Sequence, residues 1–224
     1  MKGSFNEIGI WYALRSQMPV TSNRGVLLDR DGVLIAERNY LHKPEEVELI
    51  PSISDLVGAA HRMGFSVAVI TNQSGIDRGI FKWKDFFAVE NEIDRQLSAF
   101  GEAVDLKVAC PFHPDFTPRY NSAMNYWRKP EPGMVKFACK LLGLAPEKSW
   151  MVGDKIDDIR AAKAAALAGA FFLRGLDKAK DPLAKACADK NFWVRCVDMN
   201  SPINIGAGTD RDNVSVKGMI PGQQ

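Results

Sequence analysis

Six short apolar runs recur along the chain, at 26–28, 65–70, 104–109, 149–152, 170–173 and 192–197. This alternation with longer amphipathic stretches constrains the fold more than any other feature. The stretches 51–64, 82–100, 132–143, 155–168 and 181–190 read as helices. In the second, Phe86, Val89, Ile93, Leu97 and Phe100 form one apolar stripe. Gly64, Gly143 and Gly169 stand where helix C-caps are needed. Strands that are apolar throughout and alternate with helices predict an α/β chain: a Rossmann-like, doubly wound, mostly parallel sheet with helices on both faces. No segment between Asp31 and Thr71, or between Thr71 and Lys129, is long enough for a large cap domain.

Two regions break the rhythm. Residues 111–130, rich in proline and aromatic side chains, read as a long loop. Residues 1–23 read as an N-terminal extension packed on the outside, 24–197 as the domain proper, and 198–224 as an irregular tail. The 224 residues are 46% hydrophobic, enough for a sizeable core, and 29 basic against 27 acidic residues leave a net charge of +2. That balance favours neither nucleic acid nor a membrane surface as partner. No apolar run approaches the roughly 18 residues of a spanning helix, and none near the N-terminus resembles a signal peptide. Four widely spaced cysteines, with no CxxC, fit a cytoplasmic protein; a monomer is expected.

The chemistry lies at the strand ends. The run 26–28 leads into Asp29-Arg30-Asp31-Gly32, the run 65–70 into Thr71-Asn72-Gln73-Ser74-Gly75, and the run 149–152 into Gly153-Asp154-Lys155. In an open parallel sheet, ligands bind beyond the carboxyl ends of the strands. Asp29 and Asp31, two residues apart, can face the same side; both stay ionised only if they share a cation, and otherwise one takes a proton. Asp154 supplies a third carboxylate, enough for a hard divalent ion such as Mg²⁺. The Thr71 hydroxyl, the Asn72 amide and the Lys129 ammonium are donors. Cation, carboxylate nucleophile and converging donors together suit phosphoryl transfer, which needs charge neutralisation and in-line positioning. Arg30 alternates to the other face and reads as structural.

Four phrases in order, LDRDGV at 28–33, TNQSGI at 71–76, RKPEPGM at 128–134 and VGDKIDD at 152–158, resemble the haloacid dehalogenase (HAD) superfamily of phosphatases over roughly residues 24–175. Within it they are most similar to the group of heptose-bisphosphate and histidinol phosphatases. The resemblance implies that Asp29 is the nucleophile. Asp31 protonates the leaving alkoxide and then activates the hydrolytic water. Asp29, the Asp31 carbonyl and Asp154 hold Mg²⁺, with Asp158 behind them orienting the magnesium waters or Lys155. Thr71 and Lys129 bind the phosphoryl oxygens, assisted by Arg128. The substrate class implied is a small phosphorylated metabolite, foremost a heptose 1,7-bisphosphate losing its 7-phosphate. Histidinol phosphate or another sugar phosphate is the alternative, and a non-catalytic phospho-Asp switch the alternative of another class.

The group carries a zinc site before the RKP phrase, as Cys-x-His and then Cys-x-Cys. Here Cys110 remains, but Phe112 replaces the His, and Asn125 and Trp127 replace the cysteines. One thiol with a displaced His113 does not make a closed tetrahedral site, so zinc is not expected. Packing by Phe112, Tyr120, Tyr126 and Trp127 is expected to hold the loop instead. Substrate selection then falls to short loops: Arg38 and Tyr40 on the first, Asn72, Gln73 and Ser74 on the second, Arg128 on the third, and Lys155 beside them. Arg38, Arg78, Arg119 and Arg128 are candidates to meet a second phosphate. His42 and His113 read as ordinary loop histidines.

Overall fold

In the computed structural model, the described residues are 1–15, 22–174 and 192–198. The strands in chain order are β1 (Gly3–Phe5), β2 (Trp11–Leu14), β3 (Gly25–Leu28), β4 (Ser66–Asn72), β5 (Leu106–Cys110), β6 (Trp150–Gly153), β7 (Gly169–Arg174) and β8 (Trp193–Asp198). The helices are α1 (Pro51–Arg62), α2 (Trp83–Ala99), α3 (Ser122–Trp127), α4 (Gly133–Leu142) and α5 (Ile156–Ala164). One sheet runs in the order β1-β2-β5-β4-β3-β6-β7-β8. Strands β3 to β8 pair in parallel, as the buried apolar runs require. The helix expected at 181–190 and nearly all of the tail lie outside the described residues.

Two departures stand out. The opening residues join the sheet: β1 pairs antiparallel with β2, and β2 with β5. Ile10, Trp11 and Ala13 are buried, so an alternating strand was written there in four residues. The loop 111–130 also contains a short helix, α3. Its N-cap is Asn121, whose side chain accepts from the Met124 N–H.

The core divides as period-two alternation demands. Leu27, Ala68, Ile70, Val108, Met151 and Phe172 face one way, against Met134, Val135 and Ala138 of α4 and Ile159 and Ala162 of α5. Val26, Leu28, Val67, Val69, Val152 and Phe171 face the other way, against Ile53 and Val57 of α1 and Val89, Ile93 and Leu97 of α2. Each fully buried aliphatic side chain contributes about 1.5–3 kcal/mol relative to exposure, so both helical layers are tied to the central strands. No helix among the described residues is long and apolar enough to cross a membrane.

Candidate active site

Parallel register delivers the site. Leu28 of β3 lies level with Val69 of β4 on one side and Val152 of β6 on the other. The Asp29 N–H continues that ladder by donating to Val152 O at 2.9 Å. Asp29, Thr71 and Asp154 therefore leave the sheet along one edge, where the chain topology reverses between β4, β3 and β6. Two glycines make the approach possible. Gly32 has φ +83°, and a Cβ there would sit 2.4 Å from Asp154 Oδ2. A Cβ on Gly153 would sit 2.2 Å from the Cβ of Asp158.

The resulting cluster is acidic and largely buried. Asp29, Asp154 and Asp158 each present an oxygen within 4.8 Å of the others. Lys129 reaches between them from the RKP phrase. Its Nζ lies 2.8 Å from Asp29 Oδ1 and 2.6 Å from Asp158 Oδ1, and donates to Ile70 O at 2.8 Å. Lys129 is held there by a two-way clamp: its N–H donates to Asn72 Oδ1 at 3.1 Å, and Asn72 Nδ2 donates to its carbonyl at 3.0 Å. Both ends of the Asn72 amide thus help position Lys129, and Asn72 also lines the cavity. Burial, with Asp158 and Asp154 nearby, pushes Asp29 up to about 7 against the pull of Lys129. Burial also lifts Asp154 to about 6. Lys129 stays charged: burial opposes that, but Asp158 and Asp29 outweigh it.

Lys129 pairs with only two of the three carboxylates, the buried Asp29 and Asp158, and leaves the half-buried Asp154 without an ion-pair partner among the described residues. Asp154 Oδ1 is buried with no hydrogen-bond partner among the described residues. Asp29 Oδ1 is taken by Lys129 and by the Arg30 N–H at 2.7 Å, and no hydrogen bond to its Oδ2 is found among the described residues. An oxygen-rich, electron-rich cradle of this kind suits a hard divalent cation. Asp158 stands inside the cluster, nearer than a supporting role behind it would suggest. Its Oδ2 caps α5 by accepting the Lys155 N–H at 3.0 Å, while the Lys155 ammonium turns away to Glu37 at 2.8 Å.

Asp31 is held from two sides. Arg30 Nε and Nη2 grip its carboxylate at 3.1 and 2.9 Å, and Gln73 Nε2 donates to it at 2.8 Å. The same Gln73 amide donates to Thr71 Oγ1 at 2.8 Å, joining two of the expected catalytic residues. Arg30 is buried, as a structural residue should be, yet it touches Asp31 directly. Behind it, Glu90 accepts from Arg30 Nη1 at 3.0 Å and meets Lys107 Nζ at 2.8 Å. The sequence reading missed both. A signal for them existed: Glu90 follows Phe86 by four residues on the buried stripe of α2, and Lys107 interrupts an apolar strand.

A cavity of about 300 Å³ opens over this floor. Its lining includes Arg38, Tyr40, Asn72, Gln73, Ser74, Arg128 and Lys155, so all seven expected substrate contacts share one space with Asp29, Asp31, Thr71 and Lys129. Arg38 also pairs with Glu48 at 3.2 Å, and Arg128 Nη1 donates to Phe112 O at 3.0 Å. Of the other arginines, Arg78 donates to His113 Nε2 at 2.7 Å and lies 4.3 Å over the Phe116 ring. Neither Arg78 nor Arg119 is among the residues lining the cavity. His113 is a loop residue held by two bonds: Arg78 meets its Nε2, and its backbone N–H donates to the Thr117 hydroxyl at 2.7 Å.

Where the zinc ligands would stand, Cys110 is buried and burial pushes its thiol up to about 12. Phe112 joins the core, with Tyr120, Met124 and Trp127 packed against the same cluster. Tyr126 stays 41% exposed and touches Trp127 edge-on. A polar clasp adds to this packing, because the Thr117 hydroxyl donates to Asp77.

Comparison with known proteins agrees with the geometry. The HAD-hydrolase-like family model matches residues 126–193. The chain is 38% identical over 150 residues to the D-glycero-β-D-manno-heptose-1,7-bisphosphate 7-phosphatase of Mesorhizobium japonicum, covering 67% of this chain and 69% of that protein. It is 34% identical over 169 residues to the enzyme of the same name from Escherichia coli K12, covering 75% and 86%. Among solved structures it is similar to the D,D-heptose 1,7-bisphosphate phosphatase of B. bronchiseptica, in complex with magnesium and phosphate. That likeness has a TM-score of 0.64 and 27% identity, over 78% of this chain and 93% of that one. With these motifs converging on one cavity and relatives of this kind along most of its length, the chain belongs to the HAD-like hydrolases and is a phosphomonoesterase of the group that includes the heptose-bisphosphate phosphatases.

Proposed function

We propose that this phosphatase removes the 7-phosphate of D-glycero-D-manno-heptose 1,7-bisphosphate through an aspartyl-phosphate on Asp29, with Mg²⁺ as its cofactor. The observation that carries the reading is the meeting of Asp29, Asp31, Thr71, Lys129 and Asp154 in and beneath one cavity. The substrate follows from the names of the relatives, in which the heptose bisphosphate recurs.

The fit to magnesium rests on the orphaned Asp154 oxygen and the clustering of three carboxylates. Asp29, Asp154 and the Asp31 carbonyl would hold the ion, with Asp158 beside them. Bound there, it would neutralise charge on the transferring phosphoryl group and keep Asp29 ionised. The residues do the rest. Asp29 attacks phosphorus as the bond from phosphorus to the ester oxygen breaks. Asp31 gives its proton to the departing alkoxide, so the first products are the alcohol and a phosphorylated Asp29. Asp31, now a carboxylate, takes a proton from water as the water oxygen attacks the same phosphorus. The bond to Asp29 breaks, inorganic phosphate leaves, and both carboxyl groups return to their starting forms. Thr71 and Lys129 meet the non-bridging oxygens, where negative charge gathers.

Phosphate release from the α and β heptose bisphosphates, histidinol phosphate and p-nitrophenyl phosphate, ranked by kcat/KM with Mg²⁺, tests this. The heptose bisphosphate is expected to lead. A better rate on histidinol phosphate would reassign the substrate. A single stoichiometric phosphorylation without turnover would make the chain a switch.

A further inference from the structure

We infer that Glu90 and Lys107 are positioning residues for the reaction: a buried ion pair that aims Arg30 at Asp31. The inference rests on the proposed role of Asp31 as acid and base, and goes beyond it to residues outside the four motifs.

Arg30 is 1% exposed, and its three terminal nitrogens are divided between two carboxylates. Nε and Nη2 form a fork on Asp31, and Nη1 is held by Glu90. A planar guanidinium has fixed donor directions, so the position of its Nη1 partner sets where the fork points. Glu90 is itself fixed. Its Oε2 meets Lys107 Nζ at 2.8 Å, and Lys107 also donates to the Glu90 carbonyl at 3.2 Å and pairs with Asp94 at 2.7 Å. The line Asp31–Arg30–Glu90–Lys107 therefore runs from the cavity floor into the space between α2 and β5. Burying Glu90 with two cations, Arg30 and Lys107, has a desolvation cost that apolar side chains would avoid. Phe86 under the Arg30 guanidinium, at 5.5 Å from ring centre to carbon, completes a socket with one orientation.

Asp31 must change partners between the two chemical steps while staying in reach of the same phosphorus, so its placement matters most for breakdown of the phosphorylated Asp29. The test compares wild type, Glu90→Leu, Glu90→Gln and the double variant Glu90→Leu with Lys107→Met, using p-nitrophenyl phosphate and Mg²⁺. Steady-state kinetics, acid-quenched phosphoenzyme and thermal midpoints are read for each. The double variant replaces both buried charges by apolar groups, so it keeps the experiment alive if Glu90→Leu alone does not fold.

Expected are a kcat about 10- to 100-fold lower in the Leu variants, KM within about two-fold of wild type, and a larger phosphorylated fraction at steady state. Gln, which keeps an oxygen for Arg30 Nη1, is expected to recover part of the rate. Wild-type kcat in the double variant overturns the inference. So does a loss that follows the thermal midpoint with no rise in phosphoenzyme. Asp29→Asn, run alongside, separates the two ideas: its continued turnover would sink the proposed chemistry itself, whatever Glu90 does.

Discussion

Two lysines reach the same cavity and make ion pairs of the same length, and they could hardly differ more in consequence. Lys129 and its partners Asp29 and Asp158 are almost wholly shielded, whereas Lys155 and Glu37 are each about half exposed. Both make a contact of 2.8 Å. Water screens the outer pair, and two long side chains lose freedom to form it, so little net energy is left. The inner group has no water to fall back on; each charge there depends on the others, and losing one strands the rest. Depth, rather than distance, separates the floor proposed to perform the chemistry from the rim proposed to meet the substrate.

The sharpest way to break this contrast is at the floor. Asp29→Asn keeps the shape and removes the proposed nucleophile; turnover is expected to fall on the order of 10⁴-fold, read as phosphate release at saturating substrate. Next is Lys129→Met. It leaves the buried Asp29 and Asp158 without their cation, and a stability loss of about 3–5 kcal/mol is expected by denaturant titration. Added Mg²⁺ should restore part of it, because the ion would take over the lost neutralisation. No recovery at millimolar magnesium would speak against the carboxylate cradle as the metal site.

Gly32→Ala tests the geometry between floor and backbone. The left-handed conformation costs a side chain about 1–2 kcal/mol, and the new Cβ would press on Asp154. Weaker magnesium activation, by about 10-fold, is expected from a titration of rate against metal. At the rim, Glu37→Gln is expected to change stability by no more than about 1 kcal/mol, with any effect confined to KM. A fall in kcat comparable to that of a floor variant would erase the distinction drawn above.

Glu90 adds a pH dependence. Burial would raise its pKa, but Lys107 and Arg30 overcome burial and hold it below 4.5. A depressed carboxyl contributes stability that is fully present above the unfolded value and is lost as pH falls through the folded one. Wild type is therefore expected to lose thermal stability below pH 4.5 more steeply than Glu90→Gln. Equal slopes in the two acid titrations would show that the pair contributes nothing there.

Much of this molecule was written locally. The apolar runs, the stripe of α2 from Phe86 to Leu97 and the glycines Gly64 and Gly143 placed the six parallel strands and most of the helices around them, because periodicity reports which face meets the core. Gly169 instead opens β7, α5 ends at Ala164 with Ala166 left-handed, and Phe100 lies exposed beyond α2. Asp29, Thr71, Lys129 and Asp154 were legible too, since each follows an apolar run or stands in a phrase with its own chemistry. Other features needed the third dimension. Asn72 reads as a donor for substrate, and only the fold shows that its amide also clamps the Lys129 main chain. Arg30 reads as structural until its fork is found on Asp31. The first residues read as an appendage because two short antiparallel strands have no helix between them to announce a sheet. Sequence carries period and residue type, which settle strands, helices and the stock of reactive groups. Which nitrogen meets which oxygen is a matter of long-range contact. Glu90 and Lys107 are 17 residues apart and touch only because α2 packs beside β5.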